Sequence, residues 1–128
     1  GIAAALALGA QAVQMGTAFL VCPESGIGPA YREAMAKASA TDTRCTRTIS
    51  GRYARGIVNR FMHEAGPISA AAPPFPLAQA ASAPLKAAAE AQGSDEFSSL
   101  WAGQNAPLAQ SGSAANIIEQ LAAGFAAP

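Results

Sequence analysis

Apolar positions fall along this chain in short blocks punctuated by glycine and proline, and the blocks differ in period. Ile2 to Leu8 is an Ala/Leu stretch that predicts a helix stopped by Gly9. Ala12 to Met15 is a short run without clean polar alternation that breaks into Gly16-Thr17. Such a run suits a strand covered on both faces, as in a parallel sheet. Helix, buried strand and small loop in succession predict an α/β fold. The strand needs a hydrogen-bonded neighbour on each side. The one other strand candidate, Arg44 to Ile49, has a Thr/Arg content that suits an exposed location. The chain is therefore expected to begin in mid-fold, without the strands that would complete its sheet.

Further along, the period becomes helical. Pro29 suits a first helical position, and a helix is expected to about Ser39 with Ala30, Ala34, Met35 and Ala38 on one face. Asp42-Thr43 marks a turn. A second helix is expected over Tyr53 to Ala65, with Ile57, Val58, Phe61 and Met62 as its stripe and Gly66-Pro67 as its end. Residues 67–77, with Pro73, Pro74 and Pro76, predict a stiff, extended connector. Helical signals return from Ala78 to Gln92, where Pro84 either kinks the helix or starts another. Ser94 reads as the N-cap of a short helix carrying Phe97, Leu100 and Trp101, with Asp95 and Glu96 at its positive end. Ser113 reads as the cap of a last helix with Ile117, Ile118, Leu121 and Phe125 on its core face. No internal repeat is present.

Composition narrows the function classes. Hydrophobic residues make up 51% and charged residues 12%, but aromatics only 6%, so alanine supplies much of the apolar total. Alanine favours helix and buries little area, which predicts thin cores that lean on something else. The formal net charge is zero, so no general attraction to nucleic acid or an anionic membrane follows. No apolar run reaches the roughly 20 residues that span a bilayer. Gly1 to Ala12 resembles a signal-peptide core but has no basic flank. The missing initiator Met suggests a processed or truncated chain. Cys22 and Cys45 make no CxxC and no disulfide framework, and two reduced thiols in the cytoplasm are expected.

Few residues carry candidate chemistry. Glycine at position 16 lets a backbone approach a ligand closely, and Thr17 offers a hydroxyl and an amide to a phosphate. In β/α barrels that site is often built by the loops after the last two strands. A plain strand-ending turn is the other reading of the same residues. Ser25-Gly26-Ile27-Gly28-Pro29-Ala30-Tyr31 is no dinucleotide fingerprint, because Tyr31 stands where the third glycine belongs. Arg44, Arg47, Arg52, Arg55 and Arg60 are interleaved with one aromatic, Tyr53. That suits a solvated or salt-bridged face better than nucleic-acid stacking. His63, the only histidine, falls on the polar side of its predicted helix and reads as a surface residue. One histidine and two distant cysteines make no metal ligand set. Trp101 reads as a helix-end core aromatic, with Gln104 just beyond Gly103 within reach of a ligand.

Taken together, these residues resemble the nitronate monooxygenase family, once called 2-nitropropane dioxygenases. The resemblance rests on Gly1 to Ala10 running into Val13-Gln14-Met15-Gly16-Thr17-Ala18-Phe19-Leu20, on Pro23-Glu24 and Tyr31, and on Gly51 to Gly56. It continues through Asn59-Arg60-Phe61, Pro76-Leu77 and Leu100-Trp101-Ala102-Gly103-Gln104. The resemblance implies an FMN-dependent enzyme that oxidises alkyl nitronates with dioxygen to a carbonyl compound and nitrite. It implies the C-terminal part of a TIM-type (β/α)8 barrel plus a mostly helical region. Residues 1–42 would end the barrel, with Gly1 to Leu8 its seventh helix and Ala12 to Met15 its eighth strand. Residues 43–128 would form the helical region. Gln14, Met15, Gly16 and Thr17 match the motif whose loop holds the FMN phosphate, and Gln104 matches a segment near the flavin. No position here matches the family's catalytic histidine, which belongs to an earlier strand, and His63 does not take its role. The chain alone is thus expected to lack the catalytic base. The rival readings are a related FMN-dependent enoyl reductase and a non-catalytic assembly fragment. Either a homo-oligomer or pairing with the rest of the barrel is expected.

Overall fold

The computed structural model describes residues 1–126, so residues 127–128, the end of the expected helical region, lie outside the described residues. The chain divides into two compact units, one formed by Gly1–Ile27 with Leu108–Pro128 and the other by Gly28–Pro107.

In the first unit the start of the chain meets its end. Helix α1 (Ile2–Ala7) packs on the last helix, α5 (Ala114–Ala126). Gly124 faces Ile2 so closely that a Cβ there would lie 3.1 Å from the Ile2 side chain. Ser113 caps α5 as expected, its hydroxyl accepting from the Asn116 amide at 3.2 Å, and the Glu24 carboxylate accepts from Ala114 N–H at 3.0 Å. Ile117 is buried, but Ile118 and Phe125 are exposed. Residues 12–15 do not form the expected strand. A strand exists only through its ladder, and no partner segment lies alongside among the described residues. The run passes instead into a single 3-10 turn, Thr17–Phe19, closed by Phe19 N–H donating to Gly16 O at 3.0 Å.

The second unit is built on an antiparallel hairpin. Strand β1 (Thr43–Thr46) pairs with β2 (Ala54–Ile57), Thr43 opposite Ile57 and Thr46 opposite Ala54. Helix α2 (Pro29–Lys37) precedes it, starting at Pro29 and burying Met35 as its pattern predicts. Two corrections concern this unit's helices. The segment 53–65 is not one helix: Ala54–Ile57 is strand, and α3 covers only Arg60–Ala65. Asn59 causes the break, because its side chain accepts from Met62 N–H at 3.2 Å and so starts a new helix. Residues 94–102 form no short helix either. Leu100-Trp101-Ala102 runs antiparallel beside β2 instead, with Ile57 N–H donating to Leu100 O at 2.8 Å and Ala102 N–H to Arg55 O at 3.1 Å.

The strand Thr43–Thr46 is exposed at Arg44 and Cys45, but its threonines are not. Thr43, Thr46 and Thr48 are buried, because their hydroxyls are paired. Thr46 Oγ1 donates to Pro67 O at 2.7 Å and Thr48 Oγ1 to Gly66 O at 2.6 Å. Those bonds tie down residues 67–76, which are a succession of turns rather than an extended spacer. Helix α4 (Leu77–Glu90) follows and carries Pro84 within one continuous helix.

Candidate functional site

The four residues expected at a phosphate, Gln14, Met15, Gly16 and Thr17, lie together in the first unit. Gln14 and Gly16 are exposed, Met15 and Thr17 half-buried. Gly16 is instructive. Its φ of −113° is one that any residue adopts, and a Cβ there would meet nothing within 4 Å. Neither the backbone nor a neighbour in this chain demands glycine at 16. The open approach in front of it fits a ligand, such as a phosphate, that needs the backbone bare.

Gln104 lies in the second unit. It is exposed, in a turn just past the Leu100–Ala102 segment. That segment is held from both sides. On one side Gly56 lies against it, and a Cβ at 56 would lie 2.8 Å from Leu100 O and 3.3 Å from Trp101 Cε3. Only glycine permits that approach. On the other side the Tyr31 hydroxyl, reaching from α2, donates to Trp101 O. Burial pushes the Tyr31 phenol up to about 12, so it stays a donor at neutral pH.

Asn59 adds a second anchor for the loop before that segment. Besides capping α3, its amide donates to Ser98 O at 2.9 Å, while Phe61 N–H donates to Glu96 O at 3.0 Å. Tyr31, Gly56 and Asn59 belong to the stretches that carry the family resemblance, but nothing in the sequence pattern gives them these roles. An Asn two residues before Phe61 and a Gly inside an apolar stripe were the available signals.

His63 is exposed on α3 and borders an open groove of about 840 Å³, with Glu33, Lys37, Arg60, Glu64 and Glu96 among its other lining residues. Lys37 pairs there with Glu33 and Arg60 with Glu64, while Asp42, Asp95 and Glu96 add further carboxylates to the lining. Among the described residues no group of three or more His, Cys, Asp or Glu side chains could hold a metal. Among them, too, no helix is long and apolar enough to cross a membrane. Cys22 is buried, Cys45 is exposed, and no disulfide joins them.

The family model for nitronate monooxygenase matches residues 1–124. A nitronate monooxygenase of Pseudomonas aeruginosa is 48% identical over 122 residues, covering 94% of this chain and 35% of that protein. One from Paraburkholderia phytofirmans is also 48% identical, with 33% of its length covered. Among solved structures, a nitroalkane oxidase from Streptomyces ansochromogenes superposes with a TM-score of 0.84 at 42% identity, over 98% of this chain and 35% of that one. FabK from Thermotoga maritima follows at a TM-score of 0.68 and 34% identity, over 97% of this chain and 40% of that one. The chain spans about a third of the length of the curated relatives it matches. With a family model matched along nearly its whole length, the chain belongs to the nitronate monooxygenase family, a family of oxidoreductases.

Proposed function

We propose that this chain supplies the C-terminal part of an FMN-dependent nitronate monooxygenase, in which residues 1–42 close a TIM-type barrel and residues 43–128 form the helical region. The reaction is oxidation of an alkyl nitronate by dioxygen to a carbonyl compound and nitrite. The observation that carries this reading is the family match over residues 1–124. The bare, unobstructed backbone at Gly16 supports the place given to the phosphate.

In this reading Gln14, Met15, Gly16 and Thr17 hold the FMN phosphate and Gln104 stands beside the flavin. When bound, FMN supplies the electron transfer and oxygen chemistry. The residues of this chain bind and orient it, and the catalytic base belongs to another part of the protein. The same reading puts the protein in the cytoplasm. Its partners are the small nitronate and dioxygen, with a second copy or the rest of the barrel as neighbour. The weaker likeness to FabK makes a flavin-dependent enoyl reductase the second reading. Purified protein carrying this chain, offered an alkyl nitronate and dioxygen, is expected to release nitrite. Turnover of an enoyl thioester with no nitrite would give the second reading precedence.

A further inference from the structure

We propose that Tyr31 is a positioning residue that fixes the main chain of Trp101 and so sets Gln104 toward the flavin, an inference that rests on the flavin reading above. The ladder geometry carries it. Ile57 N–H donates to Leu100 O, and Ala102 N–H donates to Arg55 O. Gly56 and Trp101 therefore face each other as the non-hydrogen-bonded pair of an antiparallel bridge. In such a pair the N–H and C=O of Trp101 point away from β2. A further strand would normally receive them, and α2 lies there instead.

The Tyr31 hydroxyl takes that strand's place by donating to Trp101 O. Helix α2 is itself pinned, because Met35, four residues on and on the same face, is buried. Gly56 closes the opposite side with no room for a Cβ. Trp101 is thus clamped between a glycine and a phenol. A turn starts directly after it, with Ala106 N–H donating to Gly103 O at 3.1 Å. Gln104 lies inside that turn. Its direction follows from the clamped residues before it, so Tyr31 acts on Gln104 through Trp101.

The test measures FMN dissociation constants for the full protein unaltered, with Tyr31→Phe, with Gln104→Ala and with both changes. Phenylalanine keeps the ring and removes only the hydroxyl. Tyr31→Phe is expected to weaken FMN about threefold to tenfold, the range of one lost hydrogen bond. In the Gln104→Ala background it is expected to add nothing, because the two act in series. An equal loss in both backgrounds, or none in either, overturns the proposal. Hydrogen exchange without flavin reads the clamp separately. Tyr31→Phe should speed exchange at residues 101–104 while residues 43–46 keep their protection, and unchanged exchange at 101–104 would sink the clamp. Failure of the unaltered protein to take FMN would remove the role proposed here together with the flavin reading. The exchange result would then still say whether the clamp is real.

Discussion

The two units of this chain are stabilised in different ways. In the second, buried apolar residues (Met35, Ile49, Ile57, Met62 and Leu100) are joined by buried polar ones, Thr43, Thr46, Thr48, Asn59 and Ser98. No buried side-chain polar atom is left unpaired among the described residues. Among the described residues of the first unit the buried apolar ones are Cys22 and Ile117; both units expose large apolar side chains, Leu8, Leu108, Ile118 and Phe125 in the first and Tyr53, Ile68, Phe75, Leu77 and Leu85 in the second. One unit is specified by a hydrogen-bonded hairpin with its docked segments, the other by two alanine-rich helices in contact. The difference teaches where a local change is felt. A paired polar interior allows little movement, because each displaced group loses a partner as well as contacts.

The largest expected effect lies at Gly51. Its φ is +86°, and a Cβ would sit 2.3 Å from Phe75 N and 2.6 Å from Pro74 C. These are backbone atoms that cannot rotate aside. Gly51→Ala should cost about 3 kcal/mol, combining left-handed strain with overpacking, as read by denaturant unfolding. A loss below about 1 kcal/mol would mean that the turns at 73–75 move easily and that the contrast between the units is overdrawn.

Next comes Gly56→Ala, expected to cost about 2 kcal/mol by forcing the Leu100–Ala102 segment off β2. Trp101 is the chain's only tryptophan, so its fluorescence reports the displacement. An unchanged emission spectrum would count against the close approach.

The Tyr31 phenol gives a pH signature confined to the second unit. Burial raises it to about 12, against about 10 for a phenol in an unfolded chain. The folded state holds this proton more tightly. Its contribution to stability is complete below about pH 10 and is lost as the pH climbs through about 12. In a Tyr53→Phe background, phenolate absorbance should therefore appear near pH 12 and be followed by loss of the hairpin. Absorbance that rises fully near pH 10 in folded protein would contradict the burial.

The smallest effect is expected in the first unit, at Gly124→Ala. Replacing this glycine, in the last turn of α5, gains at most about 1 kcal/mol of helix propensity. The new methyl would meet Ile2 side-chain atoms at 3.1 and 3.2 Å, which offsets part of that gain. The net change should stay within about 1 kcal/mol of zero. A loss as large as that at Gly51 would show the contact between α1 and α5 to be as tightly specified as the hairpin.

The same contrast explains what could be read from the sequence. Helices α2 and α5 were legible because each carries its own start signal, Pro29 and Ser113, followed by an apolar stripe at helical spacing. The second unit's hairpin was half hidden. Ile57, Val58, Phe61 and Met62 fit a helical stripe, yet Ile57 ends a strand and Met62 belongs to the helix capped by Asn59. The threonines looked solvent-facing because their partners lie far along the chain: Thr46 and Thr48 donate to Pro67 O and Gly66 O, and Thr43 accepts from the Arg55 guanidinium. A pattern of single residues carries no trace of such pairings. The Ala12–Met15 run has the composition of a buried strand, but a strand forms only against a partner, and no local signal supplies one. For the candidate site, the run Gln14–Thr17 was legible as a motif, whereas Tyr31 and Gly56 act through contacts with residue 101 that only the fold brings about.

The most direct test of the central claim is FMN titration of the full protein with and without Gly16→Trp. A Cβ at 16 meets nothing within 4 Å, so the substitution should leave the far-ultraviolet circular dichroism unchanged. The unaltered protein is expected to bind FMN, and Gly16→Trp to abolish binding while the fold persists. Flavin retained by the folded Gly16→Trp protein would contradict the phosphate assignment at residues 14–17.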